Sequence, residues 1–198
     1  GEMSLAYPLT RGSAPSLTAL TTIVLLNESP SIGGWLGIVL VSGGVLLLAT
    51  DPRHRVTAHA MPVALALTNA AVVVTYTLID GTGARLSGNA FAYSSWMAIL
   101  TAGMFASVAF AVRGRMAVNR IVSGRWKGIG GGFCTLASYS LVLWAMTYAP
   151  ISLVAAMRET SIVFGTAIAF AFLGEQISWV RCASVSIVTT GAICIKLF

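Results

Sequence analysis

Two stretches of this 198-residue chain, 147 residues apart, carry the same short pattern. Arg11 is followed 17 residues later by Glu28, and Arg158 is followed 17 residues later by Glu175. The flanks keep step: Ser13 with Thr160, Leu26 with Leu173, Ser31 with Ser178, Val41 with Val188, Gly44 with Gly191. The matches fall where a helix, a turn and a second helix would place them. An internal repeat of this kind constrains the architecture before any single residue is interpreted.

Composition supplies the environment. Charged residues are 9% and hydrophobic residues 57%, with a mean hydropathy of +0.85. A soluble domain carries about 25% charged residues, so the chain reads as an all-α integral membrane protein. Seven apolar stretches, 4–26, 31–50, 58–80, 90–112, 127–148, 151–173 and 177–197, approach the length of about 20 residues that a spanning helix needs. The N-terminus lacks the basic region, short apolar core and cleavage site of a signal peptide. The net charge of +6 is loop charge rather than a nucleic-acid signal. Eight of the twelve basic residues, Arg53, Arg55, Arg113, Arg115, Arg120, Arg125, Lys127 and Arg181, lie in three loops. Such loops set membrane orientation, and here they predict cytoplasmic segments near 53 and 120 with the C-terminus outside. The expected location is the cell membrane, crossed several times.

The repeat pairs the first predicted span with the sixth and the second with the seventh. An offset of five spans is odd, so the two copies cross the membrane in opposite directions. That is an inverted-topology repeat, an arrangement found mostly in secondary transporters with a site near the midplane. Spans three to seven make a complete five-helix unit over 51–198, and residues 1–50 supply the last two helices of a preceding unit. The arithmetic predicts three further helices before residue 1, making the chain the C-terminal part of a ten-helix protein.

Charged and aromatic residues inside the spans are the candidates for function. Arg11 and Arg158 each lie about seven residues into a span, roughly 10 Å deep at ~1.5 Å per residue. A charge at depth faces a cavity or a partner, unless its long stem snorkels to the interface. Glu159 follows Arg158, where the first copy has Gly12, and stands alone as an acid deep in a span. It is a candidate proton carrier or cation partner, or one half of a structural ion pair with Arg11. Glu28 and Glu175 occupy the turns between paired helices and are placed to accept free N–H groups that open the next helix. Asp80 ends the third predicted span, with Arg85 five residues on, which fits a cap or a boundary ion pair. Asn69 and Tyr76 in that span are polar groups placed to line a cavity or to bond between helices, and Trp96 in the fourth span and Tyr139 and Trp144 in the fifth are candidate pocket walls, or packing groups and interface anchors. Gly124, Gly128 and Gly132 recur every four residues, a spacing that permits close helix contact and a homodimer. Phe133-Cys134 follow them in place of Lys-Ser/Thr, which excludes a phosphate-binding loop. Cys134, Cys182 and Cys194 have neither metal-ligand spacing nor disulfide logic, and His54 and His59 show no zinc pattern. No metal and no cofactor are expected.

Several of these segments resemble EamA-type permeases of the drug/metabolite transporter superfamily. They are Tyr7-Pro8-Leu9-Thr10-Arg11-Gly12, Asn27-Glu28, and the run from Gly37 to Gly44 in the first part. In the second they are Tyr76 to Gly81, Tyr139 to Ala145, Ala149-Pro150, Arg158-Glu159-Thr160 and Leu173-Gly174-Glu175. The resemblance covers essentially the whole chain. It implies ten helices in two five-helix repeats, and a transporter, mostly an exporter, of metabolites, amino acids or drugs. It also implies that both termini are cytoplasmic, against the loop charge. The expected partners are a small-molecule substrate and membrane lipid, with the substrate held by Arg11, Arg158, Glu159, Tyr139, Trp144 and Tyr76. A lipid-modifying membrane enzyme is the alternative, but Asp51, His54 and His59 form no recognisable set. A fragment without activity is a further one. A seven-helix retinal protein would need a lysine midway along the last span, whereas Lys196 is at its end.

Overall fold

The structure is a computed structural model that describes residues 3–50, 60–114, 125–174 and 178–197. Glu175, Gly124, both histidines and the basic residues at 53, 55, 115 and 120 lie outside them. Among the described residues all regular structure is helical: α1 (Met3–Leu26), α2 (Ile32–Leu47) with a short 3₁₀ turn (Leu48–Thr50), α3 (Ala60–Leu86), α4 (Ala90–Arg113), α5 (Arg125–Tyr148), α6 (Ile151–Arg158), α7 (Ser161–Leu173) and α8 (Trp179–Leu197). Six stretches are long and apolar enough to cross a membrane: Ile32–Thr50, Met61–Leu86, Ala90–Arg113, Gly128–Tyr148, Ile151–Phe172 and Trp179–Leu197. These are the helices of a multi-pass membrane protein.

The expected count was seven, and α1 is the difference. Its 24 residues are long enough, but they include Arg11, Pro8, Pro15 and several hydroxyl residues. Thr10, Thr18 and Thr22 are buried. Each hydroxyl is satisfied by backbone: Thr10 donates to the Ala66 carbonyl of α3 at 3.1 Å, Thr18 to Ala14 at 2.8 Å and Thr22 to Ala19 at 2.9 Å. Ser16 donates to Ser42 of α2 at 2.8 Å. A polar helix is stable at membrane depth when protein satisfies its polar groups.

The chain forms two compact units, Gly1–Ile79 with Ala149–Phe198, and Asp80–Tyr148. In the first, α2 and α8 pack against each other through small residues. A β-carbon at Gly37 would meet Ile195 and lie 2.8 Å from the Gly191 carbonyl. One at Gly44 would lie 3.1 Å from the Ser184 carbonyl and 2.8 Å from Val188 Cγ2. One at Gly191 would lie 2.9 Å from the Gly37 carbonyl and from Val41 Cγ2. Residue numbers rise along α2 as they fall along α8, so the helices run antiparallel. The contacts also interchange under the 147-residue offset: Gly37–Gly191 maps onto Ser184–Gly44, and Val41 onto Val188. Backbones that approach this closely gain dispersion and tolerate no side chain between them. The two helices also start alike, since Ser31 Oγ accepts from Gly34 N and Ser178 Oγ from Arg181 N.

In the second unit, α4 and α5 meet through Ser94 and Ser140, whose buried hydroxyls share a hydrogen bond of 2.7 Å. Leu143 and Met146 extend the buried stripe of α5. Beyond this contact α4 is apolar and exposed on most of its surface, at Ile99, Met104, Phe105 and Val108 among others, a surface suited to lipid. Among the described residues the close contact that the α5 glycine spacing permits is not made: β-carbons at Gly128 and Gly132 would meet no atom within 4 Å.

Substituting Gly191→Ala should lower stability by about 1–3 kcal/mol, the usual cost of overpacking. Gly103→Ala, at a site open to space, should be neutral or slightly stabilising. Thermal unfolding of the two variants in detergent checks the contrast.

Candidate functional site

The span from Ile151 to Phe172 is not one helix. α6 ends at Arg158 and α7 begins at Ser161, with Glu159 and Thr160 between them. The amides of Glu159, Thr160, Ile162 and Val163 donate to the carbonyls three residues back, at 3.0, 3.1, 3.1 and 2.9 Å. The chain is therefore tightened into a 3₁₀ turn rather than opened. Such a turn inside a long helix marks a hinge or a local strain. At 1.5 Å per residue Glu159 lies about 12 Å into the span, near the half-thickness of a bilayer core of about 30 Å.

The turn carries the charges. Arg11 Nη1 donates to Glu159 Oε1 at 3.1 Å, and Arg158 Nε lies 3.9 Å from the same oxygen. One carboxylate thus serves two guanidiniums, one from each copy of the repeat. Exposure is unequal: the Glu159 side chain is 4% exposed, that of Arg158 20% and that of Arg11 35%. Arg158 Nε is itself buried and, among the described residues, has no hydrogen-bond partner. Of the expected alternatives for Glu159, an ion pair with Arg11 is the arrangement present. The Tyr7 ring lies 5.6 Å from the Arg11 guanidinium carbon, one helical turn away. Cation–π attraction at that range adds about 0.5–1 kcal/mol at an exposed site.

The asymmetry between Gly12 and Glu159 has a packing cause. A β-carbon at Gly12 would lie 2.6 Å from Leu46 Cγ and 3.0 Å from Leu46 N. Residue 12 is where α2 presses against α1, so no longer side chain fits. Hydroxyls follow the repeat more closely: Ser13 donates to the Leu9 carbonyl at 2.6 Å and its counterpart Thr160 to Met157 at 2.7 Å.

Asp80 belongs to a different cluster. α3 continues to Leu86, so Asp80 lies inside the helix and does not cap it. It is 5% exposed and accepts hydrogen bonds from Tyr93 of α4, at 3.2 Å, and from Tyr139 of α5. Arg85 Nε donates to the Met146 carbonyl at 2.7 Å. Gly83 makes the arrangement feasible, because a β-carbon there would lie 2.6 Å from the Tyr93 hydroxyl. Tyr139, expected as a cavity wall, acts here through its hydroxyl.

Tyr76 is exposed on α3 and lies close enough to Arg11 to interact with it electrostatically, so it belongs beside the cluster. The other candidates lie apart from it: Trp96 is exposed on α4. Trp144 is exposed on α5 and packs edge-on against Tyr148 with ring centroids 5.2 Å apart. The carboxylate of Glu28 reaches beyond the next helix and accepts the Ile151 N–H that opens α6, at 3.3 Å. Glu175 lies outside the described residues. The cysteines are free, and among the described residues no group of three or more His, Cys, Asp or Glu side chains is placed to hold a metal. No family model, characterised protein or solved structure matches the chain.

Two functional candidates escaped the sequence reading. Tyr7 precedes Arg11 by four residues, the spacing of helical neighbours. Tyr93 follows a turn and shows no pattern that ties it to Asp80.

A double-mutant cycle with Arg11→Met and Glu159→Gln should give a coupling energy within about 0.5–3 kcal/mol, as for residues in direct contact. Asp80→Ala should cost about 1–3 kcal/mol by leaving two tyrosyl hydroxyls without their acceptor. Unfolding in detergent measures both.

Proposed function

We propose that this chain is a secondary transporter of the EamA type, moving a small polar metabolite across the cell membrane by alternating access, and that it is not an enzyme. The observation that carries the reading is the broken span. Many transporters build a substrate site at membrane depth where a helix is interrupted, and here the interruption carries charged side chains. Here the charge from one copy of the repeat, Arg11, is tied to the interruption in the other. The antiparallel α2–α8 packing, with contacts that interchange under the repeat offset, supports an inverted repeat and through it the ten-helix 5+5 architecture. The residues assigned to substrate are Arg11, Arg158 and Glu159, with Tyr7 beside them.

Exchange in proteoliposomes tests the reading, using labelled amino acids, small carboxylates and nucleosides. At least one class should exchange, and Arg11→Ala and Glu159→Gln should each slow it by about tenfold or more, the effect of losing one charged hydrogen bond. Absence of exchange for every class, or rates unchanged in both variants, would sink the proposal.

A further inference from the structure

We infer that the solute bound at the Arg11–Glu159–Arg158 cluster is a small monoanion with a carboxylate or similar planar oxyanion. The inference rests on reading that cluster as the substrate site and adds the charge of what it takes. Three observations carry it.

The first is the charge count. Two guanidiniums and one carboxylate leave the cluster with one positive charge, near the middle of a span. A net charge at that depth costs about 2.5–3.5 kcal/mol even by the lower scales. One monoanion cancels it. A dianion would leave a negative charge, and an organic cation would double the positive one.

The second is accessibility. The Glu159 side chain is nearly sealed at 4% exposure, while the two arginines retain 20% and 35%. An incoming solute meets guanidinium before carboxylate. The sealed carboxylate lies within ion-pair distance of both arginines.

The third is an unused donor. Among the described residues Arg158 Nε is buried with no hydrogen-bond partner, and its nearest acidic oxygen is 3.9 Å away. Guanidinium N–H groups form a planar fork that matches a carboxylate. Both arginines lie within ion-pair distance of one oxygen of Glu159. The two guanidiniums are therefore neighbours around that oxygen.

The test follows binding by thermal unfolding of the detergent-solubilised chain with lactate, succinate or choline at equal ionic strength. Lactate should stabilise most and choline not at all. Arg158→Gln should weaken the apparent lactate affinity by about tenfold or more, the loss expected when one partner of a charged hydrogen bond is removed. Arg158→Lys keeps the charge and should retain the preference for lactate over choline. Glu159→Gln raises the count to two positive charges and should reverse the order, so that succinate outranks lactate. A merely structural glutamate would lower stability without that reversal. Choline stabilising as well as lactate, no stabilisation by any probe, or an unchanged order in Glu159→Gln would overturn the inference. Failure of the transport reading is separable. If lactate binds in this pattern but no solute exchanges in proteoliposomes, the charge assignment stands and transport falls. If a cation or neutral solute exchanges through an Arg11-dependent path while lactate does not bind, transport stands and the assignment falls.

Discussion

A carboxylate that is almost sealed from solvent near the middle of a membrane span must be held by cations, and Glu159 meets that condition through Arg11 and Arg158. Much of the first unit can be read from this requirement. Arg11 has to reach the carboxylate from another helix, so α1 carries a charge at depth and cannot be an ordinary lipid-facing span. α1 is accordingly polar, and its buried threonines bond to backbone carbonyls rather than to water. Removing one partner of such a pair strands the other, which costs far more than the pair contributes when intact.

The second constraint is close approach of backbones. In lipid, apolar side chains gain little by turning toward protein, so helices adhere through dispersion and need small residues where they cross. Gly37, Gly44 and Gly191 serve that purpose between α2 and α8, and Gly12 lets Leu46 settle on α1. Gly83 does the same for the Tyr93 ring beside Asp80. Glycine in a helix interior costs about 1 kcal/mol relative to alanine, and at these positions a methyl group would meet backbone or a ring.

Helices and their approximate bounds were legible because long apolar runs report burial in lipid directly. The sequence aligns Gly44 with Gly191 and Val41 with Val188, and these residues lie at the α2–α8 contact, where Gly44 meets Val188 and Gly191 meets Val41. Two kinds of feature were not legible. The break at Glu159 leaves no proline or glycine signature, because a 3₁₀ turn keeps ordinary helical dihedrals and only shifts the hydrogen-bond partner. The environment of Asp80 was misjudged for a related reason. Hydropathy falls at Asp80-Gly81, which suggests a helix end, whereas tyrosines on two other helices satisfy the acid and let α3 continue to Leu86. The turn glutamates show the limit of local reasoning: Glu28 sits where a cap for the next helix belongs, yet its carboxylate reaches Ile151, 123 residues away.

The 3₁₀ turn at Glu159 also alters the phase of everything beyond it. An α-helix advances about 100° per residue and a 3₁₀ helix about 120°. A few residues of tighter winding turn the rest of the helix by several tens of degrees relative to an unbroken copy. α1 has no such turn, so side chains after Ser13 and after Thr160 point in different directions although their sequence positions correspond. Thr18, Ala19 and Thr22 are buried on α1, while Gly165 is exposed and Thr166 and Ala169 are only partly covered on α7. At corresponding sequence positions, α1 is thereby a polar strut inside the first unit and α7 an apolar, exposed segment suited to lipid.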